Sequence, residues 1–176
     1  MFQLIEWNNP LLYNSSKPFD FSNPEIDPRE LENQMVSFVK EKNALGLSAV
    51  QVGINLHVFA TIDRCYFNAK IIDTKKEIRM APEGCLSFPK LELTIPRDTD
   101  IMITYQDNQG IWMEEVSSGL TARILQHEID HCNGILFWMR LSKFNLQRQL
   151  EISEKKYHHG FSYSKLYGAM KNNAHF

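Results

Sequence analysis

The sequence predicts an α+β domain built on antiparallel sheet. Three observations carry that expectation: a capped amphipathic helix starting near residue 28, short strand-like segments broken by turn residues, and a second capped helix starting near residue 119. A chain of 176 residues suits one domain, here residues 1–176.

Residues 8–27 are rich in Asn, Pro and Ser and read as an irregular lead-in. Asp27-Pro28-Arg29-Glu30 then looks like a helix start. Asp27 can cap, Pro28 suits the first helical position, and Glu30 completes a capping box. Leu31, Met35, Phe38 and Leu45 follow at near-helical spacing, so one face of residues 28–43 is expected to be buried, with Gly46 ending the run. HVFATI (57–62) and YFNAKII (66–72) read as strands, with Asp63-Arg64 as the turn. IMITYQ (101–106) and IWMEEV (111–116) flank Asp107-Asn108-Gln109-Gly110, a hairpin turn. Ser117 or Ser118 caps a helix over 119–131, and Asn133-Gly134 can terminate it. Residues after 141 are polar, helical in pattern and expected to dock.

Hydrophobic residues make up 43% of the chain and the net charge is -2, which points away from nucleic acid or a membrane surface as main partner. Three cysteines, Cys65, Cys85 and Cys132, are too few and of the wrong parity for a disulfide scaffold. The N-terminus MFQLIEW has no basic start and is interrupted by Glu6, so it does not read as a secretory signal. No apolar stretch is long enough to span a bilayer. The cytoplasm, or an organelle matrix, is the expected location.

The chemistry concentrates in His127-Glu128-Ile129-Asp130-His131, an HExxH pattern. On a helix, residues four apart sit about 40° apart around the axis, so both imidazoles can share one ion. Glu128 lies beside that face, within reach of a water. Leu120 and Ile124 fall on the same side as His127, two turns and one turn earlier, as core packing or as the wall of an apolar pocket.

A catalytic site needs a third ligand and an open position. A metzincin-type histidine is excluded, because Phe137 stands at its place. Glu151 has the spacing of a thermolysin-like glutamate, so a small protease remains an alternative. Cys132 projects about 140° away from His127 and reads as a packed thiol; a closed structural site using it as fourth ligand is a further alternative. Cys85, in Glu83-Gly84-Cys85-Leu86-Ser87, is the strongest candidate for the third ligand.

Three segments together resemble the peptide deformylase family, in that family's order: GLSAVQVG (46–53), EGCLSFP (83–89), and QHEIDH followed by CNGILF (126–137). Pro96-Arg97 and Gly119-Leu120 add to the likeness, which covers about residues 28–142 and leaves a tail of 143–176. The resemblance implies antiparallel sheets packed around a central HExxH-bearing helix. It implies that Cys85, His127 and His131 bind one divalent ion, Fe2+ in the working enzyme, with Zn2+, Ni2+ or Co2+ able to replace it. It implies that Glu128 is the acid/base, and that the Gln51 side chain and the Leu86 N–H stabilise an oxyanion. Gly46, Leu45, Leu120, Ile124 and Glu83 would face the substrate, and Arg97 would support Glu83 through an ion pair. The implied reaction is hydrolysis of the formyl group from the N-terminal methionine of nascent chains, releasing formate. The implied partners are N-formyl-methionyl peptides and, transiently, the ribosome, with no DNA and no membrane.

The chain departs from the family pattern in places. Ala44-Leu45-Gly46 replaces Gly-x-Gly, and Ser48 and Val50 replace smaller or different residues, which bears on loop shape and pocket width. Asn68-Ala69 replaces a frequent Asn-Pro. The tail residues Tyr157, His158, His159, Phe161, Ser162 and Tyr163 match nothing assigned, and His57, His158, His159 and His175 read as surface or structural histidines.

Overall fold

The structure, a computed structural model, describes residues 2–75, 77–156 and 168. Helix α1 spans Pro28–Glu41, α2 spans Gly119–Cys132 and α3 spans Lys143–Lys156. The strands are β1 (Gly46–Ser48), β2 (Val58–Thr61), β3 (Cys65–Thr74), β4 (Ile78–Cys85), β5 (Phe88–Asp98), β6 (Asp100–Gln106) and β7 (Trp112–Ser118). Short 3-10 turns occupy Pro10–Tyr13, Ala49–Val52 and Phe137–Arg140. The larger sheet has five strands in the order β1-β2-β3-β6-β7, and β4-β5 form a separate hairpin. All strand pairings are antiparallel.

Helix α1 begins as expected: the Asp27 carboxylate accepts from the N–H groups of Arg29 and Glu30. The reciprocal half of the capping box is missing, because Glu30 turns outward to accept from Gln34. Leu31, Met35 and Phe38 are buried against β1 and β2. Leu45 does not join that face. The helix stops at Glu41, and Asn43, with φ 49°, turns the backbone in the left-handed region before Gly46, where the run was expected to end. Leu45 then lies outside the helix and is 58% exposed.

The Asp107–Gly110 turn closes the β6–β7 hairpin, with Asp107 Oδ1 accepting from the N–H groups of Gln109 and Ile111. Helix α2 starts after Ser118, but no side chain caps it; Ser117 bonds to Glu115 instead. Its C-terminus follows the expectation. The N–H of Gly134 donates to His131 O and that of Ile135 to Asp130 O, a Schellman closure. Gly134 has φ 71° and sits on the lead-in backbone, where Ser16 also bonds to Cys132 O.

Helix α2 presents two faces. Ala122, Leu125, Ile129 and Cys132 pack on β2, β3 and β6. Full burial of Leu125 and Ile129 contributes about 1.5–3 kcal/mol each. Arg123, His127, Asp130 and His131 face the β4–β5 hairpin. Helix α3 docks as expected: Leu146 and Leu150 pack on Leu91 and Leu93, and Gln149 makes two hydrogen bonds to the backbone of Thr94. The tail residues from Tyr157 to His159, Phe161 to Tyr163, and His175 lie outside the described residues.

The β4–β5 hairpin is the main element the pattern did not predict. Pro82, Pro89 and Pro96 argue against strands over 78–98. They are tolerated because a two-stranded sheet has only edge strands, each with one side free of ladder bonds. Cys85 pairs with Phe88, so Leu86 and Ser87 form a two-residue turn next to a register shift at Gly84.

Candidate active site

The hairpin tip delivers Cys85 to the histidine face of α2. The Cys85 Sγ lies 3.2 Å from His131 Nε2, and the ligand atoms of Cys85, His127 and His131 all fall within 4.8 Å of one another. Among the described residues, this is the one group of three or more candidate ligands so clustered. The helical spacing sets the two rings 4.9 Å apart, 74° from coplanar. A thiolate and two imidazoles form a donor set suited to zinc, iron, cobalt or nickel. The residues therefore fit a divalent ion.

The alternatives do not meet there. Glu151 is exposed on α3 and accepts from Gln147. Cys132 lies 3.1 Å from Ser48 Oγ, and burial pushes its thiol up to about 12, so it stays protonated at neutral pH. Ser48 also donates to Glu128 O from a fully buried position, so this departure from the family pattern leaves the width of the cleft untouched. Val50 is likewise buried in the core.

A cleft of about 590 Å³ opens over the cluster. Cys85, His127, Glu128, Gln51 and Leu86 line its floor, and Leu45, Gly46, Leu120 and Ile124 line it as well. Leu120 is 62% exposed, so with Leu45 it forms an open rim and not a closed pocket.

Gln51 is held from both ends of its carboxamide. Its Oε1 accepts from the Ser48 N–H at 2.9 Å, and its Nε2 donates to Ser87 Oγ at 3.1 Å and to Cys85 Sγ at 3.4 Å. The Ser48 contact selects the orientation, because a flipped amide would set two donors against each other. Glu128 is buried, and its Oε2 has no hydrogen-bond partner. Burial raises its pKa to about 7, against the lowering pull of His127 and Arg97.

Glu83 and Arg97 form the expected pair, with Arg97 Nε and Nη2 each 3.0 Å from a different carboxylate oxygen. More surrounds them than the sequence suggested. His127 Nδ1 lies 3.0 Å from Glu83 Oε2, and Arg123 Nη1 lies 2.6 Å from Oε1. Arg97 also pairs with Asp130, which pairs with Arg140. Glu83, expected to face substrate, lines the cleft, but both of its carboxylate oxygens are engaged by Arg97, Arg123 and His127. Burial would raise its pKa, but the hydrogen bonds with His127 and Arg97 outweigh that and bring it to about 2. Burial likewise opposes charge on His127, but bonds with Cys85 and Glu83 raise it to about 10, so an ion binding at Nε2 would displace a proton there. Burial holds His131 well below the usual value, so its lone pair is available.

The polypeptide deformylase family matches residues 1–147 of the chain. The chain belongs to the polypeptide deformylase family. Deformylases are metal-dependent hydrolases that remove the formyl group from N-formyl peptides, and that is the reaction of this chain. The peptide deformylase of Thermotoga petrophila is 33% identical over 146 residues, covering 81% of this chain and 88% of its own. That of a Bradyrhizobium strain, BTAi1, is 35% identical over 150 residues, covering 77% and 84%. Among solved structures, the deformylase of Thermus thermophilus superposes with a TM-score of 0.79 at 30% identity, over 89% of this chain and 95% of that one. The Synechococcus elongatus deformylase in complex with actinonin gives 0.77 at 30% identity, over 86% and 85%. The α+β class with antiparallel sheets is the class of these deformylase structures. Among the described residues, no helix is long and apolar enough to cross a membrane.

Proposed function

We propose that this deformylase is a single catalytic domain over residues 1–176, with a core at 28–142 and a tail at 143–176, acting on the N-formyl-methionine of nascent chains. Cys85, His127 and His131 hold one divalent ion, Fe2+ in the working enzyme. The observation that carries the reading is the convergence of those three side chains beside a buried glutamate with a raised pKa.

The bound ion supplies Lewis acidity and eases deprotonation of water at neutral pH. Glu128, with a pKa of about 7, takes a proton from the attacking water. The hydroxide adds to the formyl carbon. The Gln51 carboxamide, already oriented by Ser48 and Ser87, turns the Nε2 proton it lends to Cys85 Sγ onto the oxyanion, and the Leu86 N–H is the second donor. Glu128 then returns its proton to the amine nitrogen as the C–N bond breaks, giving formate and a free N-terminus. Glu83 keeps the Nδ1 proton of His127 engaged, which leaves Nε2 for the ion. Leu45, Leu120 and Ile124 receive the methionine side chain, and Gly46, whose missing side chain makes room for Glu128, lines the cleft beside them. The enzyme works in the cytoplasm, in transient association with the ribosome.

The test is formate release from formyl-Met-Ala peptides by metal-loaded protein, with and without Glu128→Gln. General acid–base catalysis of this kind contributes about 10²–10⁴-fold. A loss of that size in the variant is expected. No release by the unaltered protein, or an unchanged rate in the variant, defeats the proposal.

A further inference from the structure

We propose that Arg123 is a positioning residue for the metal centre, which it serves by holding the Glu83 carboxylate on Nδ1 of His127. The inference rests on the reading of His127 as a ligand.

Arg123 stands one helical turn before His127 on α2, on the face turned to the hairpin. Its guanidinium is buried and fixed by backbone carbonyls on both hairpin strands. Nη2 donates to Arg79 O on β4 at 2.6 Å, and Nη1 donates to Ile95 O on β5 at 3.0 Å. Those carbonyls carry no net charge and cannot shift without breaking the β4–β5 ladder. The carboxylate that Arg123 meets is that of Glu83, at 2.6 Å.

The two oxygens of Glu83 divide their partners evenly. Oε1 accepts from Arg97 Nε and Arg123 Nη1, and Oε2 accepts from Arg97 Nη2 and His127 Nδ1. The Arg97 fork sets the plane of the carboxylate, but Arg97 is itself drawn toward Asp130. The fork alone leaves the carboxylate free to slide within its plane, toward or away from the imidazole. Arg123 and His127, two residues of one helix, grip opposite oxygens and remove that freedom. The consequence falls on His127: with Nδ1–H held, the ring presents Nε2 in one tautomer and one orientation.

Loss of an outer partner of a metal-binding histidine costs about 10–100-fold in metal affinity. Arg123 acts one bond further out, so Arg123→Met is expected to weaken Zn2+ binding by about tenfold. The measurement is chelator competition on the purified apoprotein, which does not depend on activity. Arg123→Lys retains the charge without the planar fork and should recover part of the loss; it also serves if the Met variant does not fold. Glu83→Gln and the Arg123→Met/Glu83→Gln double variant complete a cycle. If Arg123 acts through Glu83, the double variant binds Zn2+ as Glu83→Gln does, within about twofold. Additive losses, or wild-type Zn2+ affinity in both Arg123 variants, overturn the proposal. His127→Ala separates the two levels: wild-type affinity there removes His127 from the ligand set, and the inference falls with it, whereas weakened binding there with unaffected Arg123 variants defeats the role of Arg123 alone.

Discussion

Replacing Gly46 with alanine tests where Glu128 must stand. A Cβ built on Gly46 would lie 2.6 Å from Glu128 Oε1 and 2.9 Å from its Cδ and Cγ. Ordinary contact for a Cβ begins near 3.4 Å, so the carboxylate must retreat by about 0.8 Å, the difference between 3.4 and 2.6. Gly46 has no positive φ, so alanine adds no backbone strain and the variant should fold. Misplacement of a reacting group by about 1 Å can cost about 10²-fold in rate. The expected result is therefore a fall in kcat of about 10²-fold, with Zn2+ content unchanged, because Glu128 is not among the clustered ligands. Steady-state formate release and metal analysis on the same preparation give both numbers. Wild-type kcat in the alanine variant, or a variant structure with the carboxylate unmoved, would refute the reasoning. The close contact also revises the role read for Gly46: the space that the missing side chain leaves is filled by Glu128.

Two further outcomes follow from the same geometry. Glu128 is raised to about 7 and must be ionised to accept a proton, so kcat/KM should fall as pH drops through about 7; an acid limb near the ordinary value of 4.5 would contradict its burial. Gly134→Ala places a Cβ 2.7 Å from the backbone of Asn14 at a position with φ 71°. The left-handed conformation alone costs about 1–2 kcal/mol, so the urea midpoint should fall by at least that equivalent; an unchanged midpoint would refute both the conformational cost and the contact with the lead-in.

Elements specified by local chemistry were legible in the chain. Asp27 and Pro28 announced α1, Asp107–Gly110 announced the β6–β7 turn, and the period of α2 put His127 and His131 on one face. Features that depend on tertiary partners were not. The β4–β5 hairpin was hidden by its prolines, whose cost depends on having a neighbour on both sides, a property of the sheet and not of the strand. No role for Arg123, Asp130 or Arg140 was legible: Arg123 pairs with Glu83 and Asp130 with Arg97 across chain separations that periodicity does not report, and Arg140 joins them through Asp130. Ser87 followed Cys85 in a motif without revealing that it would hold Gln51. Leu45 misled because its spacing continues α1, while Asn43 turns the backbone before it arrives.

The sulfur at position 85 and the imidazole at position 131 are separated by 46 residues of chain. With the proposed ligands Cys85, His127 and His131, a polypeptide still emerging during synthesis would not assemble the chelating trio until its second histidine had cleared the exit. Capture of the ion is therefore a late event in the life of each molecule. A truncated product ending within β7 would carry the thiol but neither ring, and could not mature by picking up metal afterwards.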